Sequence, residues 1–198
     1  MGKGRKREFD EQIALAAMSH VFWEKGYEGA SYEDLVKGTG IQRYGLYNSF
    51  GDKRSAFTHC LNHYVDQIIK DFTAPLRSDN ADISSIKNFF KTLLEAHIQP
   101  NPLGCFACNT VSENVAKNDK DINDAMERMY KLVLDSFKNA LDNAHTKQQI
   151  PQDLDTQILA NQLLGTMIGS SIMAKAPINK TVIKDFINSN LEKINATP

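Results

Sequence analysis

No stretch of this sequence is apolar over anything like the roughly 20 residues that span a bilayer. The opening residues, MGKGRKREFD, lack the apolar segment of a secretory leader. A cytoplasmic protein with no membrane partner is therefore expected. Cysteine is scarce: Cys60, Cys105 and Cys108 are an odd number in a chain read as intracellular, which argues against a disulfide framework. Sustained apolar/polar alternation, βα order and internal repeats are missing, which leaves no basis for strands. So are the P-loop, the Rossmann glycine run and the His-Glu-x-x-His helix, and the five histidines stand without a nucleophile at motif spacing. An enzyme is not expected, nor is a cofactor. His97, Cys105 and Cys108 offer three metal ligands, but one C-x-x-C without a second pair is not a zinc pattern, so no metal is expected either. Charge of one sign is also lacking. The net charge of −1 gives no overall attraction to nucleic acid, so any such site must be local.

What the 198 residues do contain is helical periodicity, with 41% hydrophobic and 24% charged content, ordinary for a globular chain of one or two domains. Ala14, Leu15, Met18, Val21 and Phe22 make one stripe on a helix predicted over Glu8 to Lys25, which Gly26 ends. Ser31 with Asp34 then forms a capping-box pattern. Leu35 and Val36 give that short helix an apolar side, and Gly38-Thr39-Gly40 ends it. The following run, Ile41 to Phe50, turns Ile41, Leu46 and Phe50 inward and leaves Gln42, Arg43, Tyr44, Tyr47 and Asn48 free. Two short helices around a glycine-bearing turn make a helix-turn-helix. A longer helix is predicted from Lys53 to Thr73, with Phe57, Cys60, Leu61, Tyr64, Ile68 and Phe72 along one side; Pro75 and the polar residues 77–80 mark a boundary zone. Helices follow over Ile83 to Ile98, Leu103 to Lys117, Ile122 to Ala144, Asp155 to Ala176 and Asn179 to Ile194. The fold class is all-α.

The stretch Phe22, Glu24-Lys25-Gly26-Tyr27, Asp34-Leu35, Gly40-Ile41, Leu46-Tyr47, Phe50, Asp52-Lys53 and Phe57 resembles the tetracycline-repressor (TetR) family of bacterial regulators in order and spacing. Val36, Gly38 and Thr39, and also Met18, replace the small alanines usual there. The resemblance implies a helix-turn-helix DNA-binding domain over residues 6–66 and a helical ligand-binding and dimerisation domain over 67–198. It further implies a repressor that binds a palindromic double-stranded DNA operator as a homodimer and is released by a small apolar or electrophilic inducer. A helical protein-interaction module without sequence-specific DNA binding is the alternative.

At DNA, Gln42 and Arg43 open the second helix, the end that enters the major groove. Arg pairs two donors with guanine and Gln pairs with adenine, which makes them candidates for base reading. Tyr44 suits a thymine methyl or a phosphate, and Gly45 permits close approach of the backbone. Tyr47 and Lys53 look like the family's phosphate contacts, with the hydroxyls of Ser31 and Thr39 as further donors. Lys3, Arg5, Lys6 and Arg7 form a basic arm suited to following a phosphate backbone.

In the C-terminal half, a helix opening near Leu103 would place Cys105 in its first turn, where free amides favour a thiolate. Cys108, three residues on, is a resolving partner for it. The Gly104-Cys105 pair also resembles a TetR subgroup, some of whose members sense oxidants or reactive carbonyls. Two small residues packed in a core are the other reading. Phe89, Phe90, Phe106, Met126, Met129, Tyr130 and Met167 are candidates for either core or ligand pocket. The helices over Asp155 to Ala176 and Asn179 to Ile194, with Gly165, Gly169 and Ser170 allowing close approach, are expected at the dimer interface.

Overall fold

A computed structural model of the chain describes residues 9–113, 115, 117 and 119–195. The arm residues Lys3, Arg5, Lys6 and Arg7, and the expected helix start at Glu8, lie outside the described residues. Among the described residues every regular element is helical, as the periodicity predicts. Helix α1 (Glu11–Gly29) opens later than expected because Asp10 caps it, accepting the N–H groups of Gln12 at 2.8 Å and Ile13 at 3.3 Å. Gly26, at φ 75°, breaks α1 near its end. The capping box before α2 (Tyr32–Thr39) is formed: the Ser31 hydroxyl accepts from the Asp34 N–H at 3.1 Å, and the Asp34 carboxylate accepts from the Ser31 N–H at 2.9 Å. Gly40 ends α2 in the left-handed conformation. Helix α3 (Arg43–Phe50) buries Leu46 and Phe50, with Ile41 half-buried ahead of it. Asp52 caps α4 (Lys53–His63).

These helices are fixed to one another mainly by aromatic packing. Phe22 and Phe57 meet edge to face at 5.1 Å, and Tyr27 closes on Phe57 at 5.0 Å. Burying one such ring is worth roughly 1.5–3 kcal/mol, against about 1 kcal/mol for a cap. Caps therefore set where the helices begin, and the rings set how they cross.

The long helix predicted from Lys53 to Thr73 is present, but with a change of phase. After α4 the chain makes a π-turn over Tyr64–Ile69, then α5 (Lys70–Thr73) and a 3-10 turn over Ala74–Arg77. A π-turn holds one residue more than an α-turn, so the inward face slips by one position beyond it. Tyr64 and Val65 are both buried, and Ile69, Thr73 and Leu76 follow them inward. Of the two residues expected to continue the packed stripe, Phe72 does so half-buried, its ring 4.6 Å from that of Phe89, whereas Ile68 does not and is 39% exposed.

The remaining helices are α6 (Ile83–His97), α7 (Phe106–Ser112), α8 (Lys120–Thr146), α9 (Thr156–Lys175) and α10 (Lys180–Asn195). The expected helix from Leu103 to Lys117 is shorter, because Gly104 at φ 65° and an extended Cys105 delay its start. Cys105 is thus the cap residue ahead of α7, and Cys108 occupies the first turn. Phe89, Phe90 and Phe137 stack into a core between α6 and α8, with ring centres 5.0–5.6 Å apart.

Three contacts join the N-terminal helices to the segment around α7. The Trp23 indole N–H donates to the Leu103 carbonyl at 3.0 Å. The Tyr27 N–H donates to the Glu113 carboxylate at 2.8 Å. Arg54 grips the Asp119 carboxylate with two bonds, at 2.6 and 2.8 Å, and reaches Asp121 at 3.3 Å. A Cβ on Gly26 would lie 2.5 Å from the Glu113 carboxylate, in a backbone conformation disfavoured for side chains. Gly26→Ala is expected to lower stability by about 1–3 kcal/mol in urea unfolding.

Candidate functional site

The helix-turn-helix presents its polar face to solvent. Gln42 is the exposed cap residue of α3 and makes no side-chain capping bond. Arg43, one residue on, pairs with Glu33 of α2 and lies over the Tyr32 ring, 5.2 Å from its centre. Tyr44 and Tyr47 project outward, 78% and 56% exposed. The Lys53 ammonium stands 4.6 Å over the Tyr27 ring and donates to the Glu28 carbonyl at 3.5 Å. An exposed pair such as Arg43–Glu33 is worth about 0–1 kcal/mol, so a guanine or a phosphate can displace the carboxylate.

The two hydroxyls are used within the fold. Ser31 donates its hydroxyl to Asp34 at 2.8 Å; Thr39 donates to the Leu35 carbonyl at 2.8 Å and accepts from the Ile41 N–H at 3.2 Å. The open side of Gly45 faces inward, where an added Cβ would meet Ile41 at 3.2 Å and the Phe9 ring at 3.4 Å. Bonds from Lys25 at 2.5 Å and from the Ser31 N–H and hydroxyl hold the Asp34 carboxyl well below the usual carboxylate range. Reading the sequence missed Tyr32 and Glu33. The Tyr32 hydroxyl donates to the Gly51 carbonyl at 2.9 Å and so ties α2 to the turn after α3. Its signal was an aromatic residue directly after the capping serine.

A second feature lies behind this surface. A cavity of about 400 Å³ opens between the π-turn, the end of α6, the 99–105 loop and α9, with Trp23 of α1 forming part of its wall. Tyr64, Ile68, Phe72, Leu93 and Met167 line it, and among the described residues no Asp, Glu, Lys or Arg does. The shift in helical phase is what puts Ile68 and Phe72 here. Of the aromatic and methionine stripe read as core or pocket, Met167 alone lines this cavity; Phe89, Phe90, Phe106, Met126 and Met129 are core. A groove of about 430 Å³ between α6 and α10, lined by Lys87, Lys91 and Glu192 among apolar residues, is more open and carries no reactive group.

Cys105 reaches the cavity wall while 6% exposed. The Tyr64 hydroxyl donates to its sulfur at 3.3 Å. Hydrogen bonding from Cys108, joined by Tyr64 and the N–H groups of Cys108 and Ala107, lowers the Cys105 thiol to about 7 against the opposing effect of burial. The same contact and burial push Cys108 far up, and burial pushes Cys60 up to about 12. Of the three thiols, Cys105 is therefore the one whose ionised form its neighbours favour. His97, at the cavity edge and 3% exposed, has its Nδ1 buried without a partner. Burial, with Lys180 nearby, lowers it to about 4. Among the described residues His97, Cys105 and Cys108 do not assemble into a metal-holding group.

A family model described as "Tetracyclin repressor-like, C-terminal domain" matches residues 83–189, more than half of the chain, and one described as "Bacterial regulatory proteins, tetR family" matches residues 14–59. The chain belongs to the tetR family. This tetR-family protein is a DNA-binding transcriptional regulator, and the helix-turn-helix just described lies inside the match over residues 14–59. The HTH-type transcriptional regulator YezE of Bacillus subtilis is 27% identical over 190 residues, covering 95% of this chain and 97% of the relative. The HTH-type transcriptional repressor ComR of Escherichia coli is 27% identical over 175 residues, covering 87% and 83%. Among solved structures, the reduced form of E. coli NemR superposes with a TM-score of 0.81 at 19% identity, covering 96% of this chain and 99% of that one. A cysteine mutant of the TetR-family regulator CifR, bound to 26-base-pair operator DNA, superposes with 0.79 at 23% identity, covering 98% and 100%.

His97 contributes to the pH dependence of stability. Its folded-state pKa of about 4 lies below the ordinary 6.5, so between those values the unfolded chain binds more protons. This contribution is complete above pH 6.5 and is lost as pH falls toward 4. Comparing urea midpoints at pH 7 and pH 4.5, His97→Phe is expected to lose less stability on acidification than the wild type, by about 2 kcal/mol.

Proposed function

We propose that this regulator is a repressor that binds a palindromic operator as a two-fold homodimer and releases it when a small uncharged electrophile or oxidant modifies Cys105. Residues 6–66 hold the DNA, and residues 67–198 form the dimer contact and most of the cavity, which Trp23 and Tyr64 complete. The observation that carries this reading is the connection of an exposed recognition helix, through α4, to an apolar cavity whose wall holds the Cys105 thiol within 3.3 Å of the Tyr64 hydroxyl. Gln42 and Arg43 read bases; Tyr44, Tyr47 and Lys53 touch phosphate or sugar and fix register. Ser31, Thr39 and Gly45 belong to the same surface but serve it indirectly, as cap, turn and helix packing. The naming of ComR as a repressor and the operator-bound state of CifR support the DNA half of the reading.

The dimer contact follows from what α9 leaves uncovered. Ile158, Gly165 and Ile172 recur every seven residues, the two isoleucines are more than half exposed, and nothing lies within 4 Å of the open side of Gly165. Val182 of α10 adds to this surface. Two copies meeting there bury it in a four-helix arrangement and set two recognition helices a turn of duplex or more apart. The regulator works in the cytoplasm, where its DNA is. It acts by binding rather than catalysis, and among the described residues no helix is long and apolar enough to cross a membrane.

Two experiments test the reading. In selection of bound DNA from random sequence, Arg43→Ala is expected to weaken specific binding by about 1–3 kcal/mol and relax one base position; an unchanged preference removes Arg43 from base reading. Cys105→Ser is expected to keep operator affinity and lose release by a quinone or peroxide in a gel-shift titration. Release that survives this change moves the sensor away from Cys105.

A further inference from the structure

The Tyr64 hydroxyl donates to the Cys105 sulfur, 3.3 Å away. The ring is clamped edge-on by Trp23 at 5.2 Å and by Phe106 at 5.6 Å, and it is 4% exposed. Tyr64 is also the first residue of the π-turn, so it stands where the helix between the two halves of the molecule changes phase. Upstream of it, α4 runs without interruption for 11 residues to Lys53, about 16 Å of rigid helix. Burial and the neighbouring thiols keep Tyr64 protonated, so it acts as a donor across the neutral range.

We propose that Tyr64 is the positioning residue for the reactive thiol: its hydroxyl holds the Cys105 sulfur as an anion, and displacement of that hydroxyl by an adduct on the sulfur shifts the π-turn and with it α4. This rests on the reading of Cys105 as the sensor. With an α,β-unsaturated carbonyl, the thiolate sulfur forms a bond to the β-carbon. The C=C pair moves to the α-carbon, which takes a proton, so that S and H add across the double bond and nothing leaves. The sulfur becomes an uncharged thioether, a weak acceptor, and the added group fills the cavity beside Tyr64 and Trp23. The hydroxyl then has no anionic partner, and its ring is pressed from the cavity side.

Other groups face Cys105. Cys108 lies on its own segment, Tyr130 interacts with the thiols from α8, His97 lines the same cavity from the end of α6, and the Lys175 stem of α9 packs at Gly104. Of these, Cys108 donates to the sulfur; Tyr64 is the donor that also belongs to the transmitting helix.

The test compares wild type with Tyr64→Phe, both full length. The rate of Cys105 alkylation by iodoacetamide is followed against pH by peptide mass spectrometry, and operator binding is measured before and after complete alkylation by N-ethylmaleimide. The wild-type midpoint is expected near pH 7 and that of Y64F about one pH unit higher, a roughly fivefold loss of thiolate at pH 7. Alkylated wild type is expected to release the operator and alkylated Y64F to retain it. An unmoved midpoint overturns the holding role, and release equal to that of wild type overturns the coupling. Wild-type Cys105 reacting no faster than Cys60 at pH 7 overturns the thiol reading itself and Tyr64's role with it. If Y64F is unfolded by circular dichroism, 3-fluorotyrosine incorporated into the wild-type chain supplies a stronger donor in place: a lowered midpoint supports the assignment and an unchanged one overturns it.

Discussion

The arrangement depends on the packing of Trp23 against Tyr64 and Phe106. Trp23 lies on the first helix of the DNA-binding unit, Tyr64 on the connecting helix, and Phe106 at the start of α7. Phe57 extends the cluster by meeting Phe106 at 5.3 Å and Phe22 at 5.1 Å. Edge-to-face pairs contribute about 0.5–1.5 kcal/mol each beyond the area they bury. The surface ion pairs around them, even the two-pronged grip of Arg54 on Asp119, fall near 0–1 kcal/mol. The aromatic cluster therefore fixes how the recognition helix sits relative to the cavity, and the ion pairs adjust it.

This placement gives the cavity mechanical access to DNA. A molecule entering it touches Trp23 and Tyr64 directly, and both side chains stand on helices that support α3. The indole N–H is tied to the Leu103 carbonyl, one residue from Gly104 and two from Cys105. Gly104 itself is held against the Ser171 carbonyl, where an added Cβ would lie only 2.8 Å away. The loop bearing the thiol is thus anchored to α9 on one side and to α1 on the other.

Much of this was readable without coordinates. The capping box at Ser31 and Asp34, the left-handed Gly40 and the exposure of Arg43, Tyr44 and Tyr47 follow from local rules that act within one or two helical turns. The basis for suspecting Cys105 was legible too, though for a partly different reason. Its low pKa comes from Cys108, Tyr64 and two adjacent N–H groups acting on a cap residue rather than on a residue of the first turn. The pairing of Arg43 with Glu33 and the ring of Tyr32 was out of reach, because it spans two helices whose crossing is set elsewhere.

By itself the sequence determined the all-helical class, the helix-turn-helix, its solvent-facing residues and the breaks at Gly26, Pro75 and Pro100. Periodicity and capping are properties of neighbours along the chain. Tertiary structure decided the rest: the π-turn that carries Ile68 off the packed stripe, the cavity that Ile68 and Phe72 line, and the hydrogen bond from Tyr64 to Cys105 across 41 residues. A one-residue slip in helical phase leaves the pattern of apolar residues almost unchanged. Which way each of them points is settled by the helices packed against it.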